Sequence, residues 1–254
     1  MVSANRHDGP TVNDEPGGTS VQGTGGGGKR RSPLSRTTVL RAALELVDTD
    51  GLEALSMRRL GQRLDRDPMA LYRYAANRDA LLDGLTELLL DQWVIAAAGD
   101  ADTAWQDQLR RAAHRFRALV LKHPHVVPLL VTRPLSTPLG LRPLGALRPL
   151  EQLLAVFTRA GFGPSGALHA YRAYYGFLIG HVINELEEFV VNADEDDAGL
   201  RLGLDRLPES DFPHLRSLAS QLLDYDGEAE LDQGITIVLQ GLQAQLESPA
   251  RAPH

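Results

Sequence analysis

From Ser35 to about residue 247, apolar side chains recur every three or four positions, and nowhere do they alternate over the length of a strand. That period places one apolar stripe on each of a series of helices, so the fold class is all-α. Val39, Leu40, Ala43, Leu44 and Val47 make the first stripe, and Gly51 stops that helix as a C-terminal cap. Ser56 caps a short second helix carrying Met57, Leu60, Gly61 and Leu64, and Asp65 and Arg66 then interrupt. Asp67 caps a third helix with Pro68 in its first position, where the missing N–H costs nothing. Asn77 starts a fourth, striped by Ala80, Leu81, Leu85, Leu88 and Leu89. Further helices are expected near 104–122, 124–131, 140–160, 164–192, 209–223 and 227–247, divided by Pro and Gly, with a loop over the acidic run 194–203. No internal repeat is visible.

At 254 residues the chain has room for one large or two small domains. Having no cysteine, it has no disulfide, no thiol switch and no cysteine-bound zinc. No run of about 18 apolar residues and no signal-peptide core is present, which places the protein in the cytoplasm by expectation. Only Lys29 and Lys122 among 26 basic residues are lysines, a bias ascribed to a GC-rich genome. The formal charge of −7 is unevenly spread. Residues 1–28 carry one Arg against three acids (−2), residues 29–78 carry 11 basic against 6 acidic side chains (+5), and the remainder holds −10. A small basic head in front of a large acidic body suggests that only the head meets nucleic acid. The expected divisions are 1–33, a disordered tail ending in the basic arm KRRSP; 34–80, the head; and 81–250, the body. The arm reads equally as a solvated charge run or as a contact to DNA phosphates.

Two short helices joined by a tight turn, the second opened by Asp-Pro, make a helix-turn-helix. On a wheel of residues 68–76, Leu71 and Ala75 face the first helix while Met69, Arg73 and Ala76 face away, flanked by Ala70 and Tyr72. An arginine opposite the apolar stripe suits a major groove, where it could pair bidentately with a guanine edge for about 1–3 kcal/mol of discrimination. Pro68, Met69 and Ala70 offer methyl-sized contacts for thymine, and Tyr72 and Tyr74 offer hydroxyls to phosphate. Arg58 and Arg78, each at the start of a helix, are placed to grip the strands.

The stretch LRAALELVDTDGLEALSMRRLGQRLDRDPMALYRYAANRDALLDGL, residues 40–85, resembles the DNA-binding head of the tetracycline-repressor (TetR) family of regulators. The resemblance implies that Arg58, Pro68, Met69, Ala70 and Arg73 read bases and that Tyr72, Tyr74 and Arg78 hold phosphates. Asp65 departs from the family at a turn position usually given to Gly; Asp tolerates the left-handed conformation, so mild strain and an intact motif are expected.

The family implies a helical body that dimerises and binds a small-molecule effector, with a homodimer reading a palindromic operator that the effector releases. Residues 170–190 and 229–246 are apolar across their width, as a four-helix interface requires; Ile179, Ile183, Ile235, Leu239 and Leu242 are its candidates. Phe116, Thr132, Arg133, Tyr175, His181 and Asn184 are the candidate ligand contacts. Segments 105–121, 131–134 and 161–182 are similar to tetracycline-binding members of the family. Yet the magnesium-tetracycline positions fall on Val94, Leu129 and Asn184, so that effector is not expected. HPH at 123–125 lacks a third ligand and reads as a helix junction rather than a metal site. No cofactor, metal or catalytic residue is expected: GxSxG, HExxH, a phosphate loop and a cysteine nucleophile are all missing. An α-helical enzyme acting on a small molecule, or a dimer that no longer senses, are the rival readings.

Overall fold

The computed structural model describes residues 34–95, 103–136, 139–190, 203, 206–218, 221 and 225–247, and shows helices and no strand among them. The expectations for the tail and arm (1–33) and, Gly203 apart, for the acidic loop lie outside the described residues. Helix α1 (Arg36–Asp50) opens with Ser35 Oγ accepting from the Thr38 N–H at 3.1 Å. It ends at Gly51, whose φ of 79° lets its N–H turn back to the Val47 carbonyl at 2.8 Å. A single 3-10 turn, Leu52–Ala54, leads to α2 (Met57–Leu64), α3 (Pro68–Leu71) and α4 (Arg78–Asp91). The side chains of Ser56, Asp67 and Asn77 accept from the N–H groups of Arg59, Met69 and Ala80. Each satisfies a donor the helix itself leaves orphaned.

α4 ties the beginning of the chain to the rest. Its Leu81, Leu85 and Leu89 are fully buried, each worth about 1.5–3 kcal/mol against exposure. At Gly84 the helix lies so close to α1 that a Cβ there would overlap Leu40 Cδ2. Beyond it follow α5 (Trp105–Lys122), a 3-10 turn at Pro124–Val126, α6 (Val127–Ser136), a second at Leu139–Leu141, α7 (Leu144–Arg159), α8 (Pro164–Val190), the short α9 (Pro213–Ser217) and α10 (Gly227–Glu247). α7 packs on α4 and α8, and α5 on α8 and α10, around buried Phe116, Phe157, Tyr174 and Leu178. The one polar atom Tyr174 brings into that core donates to the Leu109 carbonyl at 2.7 Å.

Three helices depart from their expected bounds. The segment expected at 124–131 begins as a 3-10 turn and continues to Ser136, because Pro128 falls in the first turn of α6, where no N–H is needed. The expected helix 140–160 starts only at Leu144: Pro143 sits in extended conformation (φ −57°, ψ 144°) and holds its predecessor off the helical region. Of the expected helix 209–223, the described residues form α9, which Pro213 opens, and a helical Gln221.

Candidate nucleic-acid interface and ligand cavity

The turn between α2 and α3 rests on Asp65, the one non-glycine residue with positive φ among those described (φ 52°, ψ 51°). Its N–H reaches the Gln62 carbonyl at 3.2 Å, and the next N–H, from Arg66, reaches Gly61 at 2.9 Å. α3 is one α-helical turn, which relaxes into a turn over Tyr72–Tyr74 while Ala75 N–H still reaches Leu71 O at 3.2 Å. Leu71 and Ala75 are buried against the head, as the wheel requires. Met69 is 73% exposed, Tyr72 and Arg73 are also turned to solvent, and Pro68 and Ala70 are half-buried. Arg58 is exposed on the first turn of α2, whereas its neighbours are engaged: Arg59 with Asp50 at 2.6 Å and Arg63 with Glu45 at 3.0 Å.

Two expected phosphate contacts have partners within the head itself. Tyr74 is half-buried and its hydroxyl donates to the Leu34 carbonyl at 2.7 Å, so its proton fixes the start of α1. The Arg73 guanidinium lies 4.8 Å above its ring, which makes Tyr74 a support for Arg73. Arg78 donates from Nε to Leu55 O at 3.2 Å and from Nη2 to Leu52 O at 2.9 Å. Its guanidinium therefore closes the 3-10 turn in front of α2, and the sequence could not show those carbonyls converging on it.

A cavity of about 200 Å³ opens between α4, α6, α7 and α8. Leu90, Leu147, Leu150 and Leu153 give it apolar walls, and Trp93, Tyr171 and Tyr175 give it aromatic ones. Tyr171 and Tyr175, one helical turn apart, stack at 5.7 Å with their planes 10° apart. Trp93 lies 6.1 Å from the Tyr175 ring and donates its indole N–H to Ala112 O at 2.8 Å. Arg133 reaches across from α6 to α4, giving Nε to Asp83 Oδ1 at 2.7 Å, Nη1 to Asp79 Oδ1 at 3.1 Å and Nη2 to the Asp79 carbonyl at 2.9 Å. The hydrogen bond to Asp83 raises the guanidinium pKa, against the opposing effect of burial.

Of the six candidate ligand contacts, Arg133 and Tyr175 line this cavity. Phe116 stands behind the wall, 4.7 Å from Trp93 and 6.3 Å from Tyr175. Thr132 is exposed and gives its hydroxyl proton to Pro128 O at 3.0 Å. His181 and Asn184 lie further along α8 and outside the cavity lining; Asn184 faces solvent. His181 is buried beside Glu185, which is fully buried and takes Arg117 Nε and Nη2 at distances between 2.6 and 3.1 Å. Burial lowers the His181 pKa, partly countered by the Glu185 charge. Sequence reading missed Thr86, Trp93, Arg142 and Tyr171, because the cavity exists only where four helices from distant parts of the chain meet.

The HPH segment is a junction. His123 Nδ1 lies 2.9 Å from Asp48 Oδ2, and His125 Nδ1–H donates to the Val47 carbonyl at 2.9 Å, so both rings hold the last turn of α1. Of the three positions expected to match the magnesium-tetracycline site, Val94 is exposed, Leu129 is buried and Asn184 faces solvent, and the side chains of Val94 and Leu129 carry no ligating atom. Among the described residues no three His, Cys, Asp or Glu side chains converge.

The interface candidates divide. Ile235, Leu239 and Leu242 are buried within the chain itself, on one stripe with Leu231, and are corrected from interface to core. Ile179 and Ile183 are half-buried against the same core. The exposed large apolar side chain of α10 is Ile237, 71% exposed, and α8 turns Gly176 and Gly180 outward with open space beyond them. An apolar helix has two faces, and its sequence alone does not say which one its own chain covers. No helix among the described residues is long and apolar enough to cross a membrane.

Residues 39–85 match the model of bacterial regulatory proteins of the tetR family, and residues 98–246 match that of the tetracyclin repressor-like C-terminal domain. The chain is 30% identical over 216 residues to an HTH-type transcriptional regulator of Saccharopolyspora erythraea, covering 83% of this chain and 85% of that one. It is 30% identical over 218 residues to the class D tetracycline repressor protein of Escherichia coli, covering 84% and 91%. Among solved structures it is similar to the Streptomyces coelicolor protein ActR in complex with actinorhodin, with a TM-score of 0.71, 25% identity, and coverage of 85% of this chain and 100% of that one.

Proposed function

The chain belongs to the tetR family of bacterial regulatory proteins, and from that premise we propose which of its parts read DNA, which sense the ligand and how the two are joined. It is a ligand-responsive transcriptional regulator that binds operator DNA as a homodimer. Residues 34–80 are the reading head, with Arg58, Met69, Tyr72 and Arg73 facing the major groove and Pro68 and Ala70 beside them. Residues 81–250 are the sensing and dimerising body, with the outer faces of α8 and α10 meeting their counterparts. The effector occupies the cavity between α4, α6, α7 and α8, and ActR, solved with a small molecule bound, supports a sensor of that kind. It is not magnesium-tetracycline, since Val94 and Leu129 supply no ligand for the ion. The protein acts in the cytoplasm and catalyses no reaction.

The observation that carries this reading is the Arg133–Asp83 bond. It joins a cavity wall to α4, whose first residue follows the reading turn by a few positions. A ligand that displaces α6 therefore pulls on the helix that orients the head. Emptying an operator from 99% to 1% occupancy of the competent state requires a preference of about 5.5 kcal/mol for the other state.

Selection of bound duplexes from random DNA by the full-length protein at physiological salt tests the proposal. It should enrich a palindrome whose half-sites lie one helical turn apart, about 34–36 Å. A folded dimer that enriches nothing would refute the assigned reading face.

A further inference from the structure

We propose that the cavity is specific for planar aromatic acids, with one or two fused rings seated among Tyr171, Tyr175 and Trp93 and a carboxylate turned toward Arg142; this rests on the effector reading above. The shape comes first. The parallel tyrosine pair and Trp93, with Pro143 and Pro149 beside them, make walls that match a planar π-system better than a branched chain. A volume of about 200 Å³ suits a small ring system, since a cavity of about 150 Å³ accommodates benzene. Leu141, 75% exposed in the lining, gives any larger ligand an apolar ledge.

Charge decides the functional group. The acid lining the cavity, Asp83, already holds the Arg133 guanidinium at 2.7 Å, so a cationic ligand would have to break that pair. Arg142 adds a second positive charge to the lining, and its field reaches both Tyr171 and Tyr175. Burial raises the pKa of both phenols, which stay neutral and able to donate to an anion instead of repelling it as phenolates. Aromatic wall, neutral phenol donors and a lining arginine together describe an aryl carboxylate.

The test uses 2-naphthoate and its neutral counterpart 2-naphthamide, titrated into the full-length protein by calorimetry and by quenching of tryptophan fluorescence. Naphthoate should bind at least tenfold more tightly than the amide, and Arg142→Gln should remove that difference by weakening naphthoate alone. Equal affinities, no naphthoate binding, or a difference that survives Arg142→Gln would overturn the proposal. A wild-type far-ultraviolet circular dichroism spectrum establishes that Arg142→Gln is folded. Ala146→Phe, which fills the cavity, should abolish binding of both probes. If both still bind the filled protein, the placement of the effector site fails, whatever its chemistry.

Discussion

Arg133 of α6 and Asp83 of α4 stand 50 residues apart in the chain and share a 2.7 Å charge-assisted hydrogen bond at the cavity wall. The arginine is largely buried and also serves Asp79, while both acids keep access to water. Arg133→Ala should therefore cost about 1–2 kcal/mol of stability, measured by urea unfolding, without unfolding the protein. Asp83→Asn should leave operator affinity within about threefold of wild type and weaken the effector's influence on it, in the range of about 1–3 kcal/mol usual for coupled sites. Full ligand response in Asp83→Asn would move the coupling elsewhere.

Arg73 and Arg78 should behave differently when removed. Arg73→Ala should relax base preference at one operator position while affinity for other sequences changes little, in a binding assay over single-base operator variants. Uniform loss over all sequences would remove it as a reader. Arg78→Ala takes its donor from the Leu55 carbonyl and leaves the Leu52 carbonyl only the Leu55 N–H, so its signature is a loss of about 0.5–1.5 kcal/mol of stability. Unaltered unfolding with a shallower salt dependence of binding would return it to the phosphates.

Ile237 and Leu239 lie two residues apart on α10 and face opposite ways. Ile237→Glu should give folded monomers by sedimentation, because the side chain is exposed within its own chain. Leu239→Glu buries a charge in the core and should cost roughly 3 kcal/mol or more, seen as loss of the folded state.

His181 makes stability depend on pH. Its folded pKa lies below the ordinary value because burial penalises the imidazolium; Glu185 on its own helix and Glu230 of α10 oppose that, and Arg117 of α5 reinforces it. The unfolded chain thus takes up the proton first, near pH 6.5. The contribution is intact above that pH and is lost as pH falls through the lower folded value. Urea midpoints should fall from pH 7.5 to 5.5 more steeply in the wild type than in His181→Asn. Parallel slopes would exclude His181 as the cause.

Features set by neighbours in the chain were legible in the sequence. Ser56, Asp67 and Asn77 cap helices whose donors lie two or three residues away, and Asp65 takes the left-handed turn that its place between two short helices demands. Features set by distant partners were not. Arg58 and Arg78 look alike in sequence, and only the convergence of two carbonyls separates the outward one from the clamp. The cavity needed α4, α6, α7 and α8 brought together, and Arg142 and Tyr171, 29 positions apart, carry no shared pattern. For α10, periodicity located the apolar stripe of Leu231, Ile235, Leu239 and Leu242 and gave it the wrong partner.

The histidine junction anchors the end of α1. His123 and His125 pin the last turn of α1 to the start of α6, while α4, locked to α1 at Gly84, carries the attachment to the cavity. A body held at one point and pushed at another does not slide; it tilts. Motion started at Arg133 would therefore reach the far end of the head as rotation, amplified by the length of the arm.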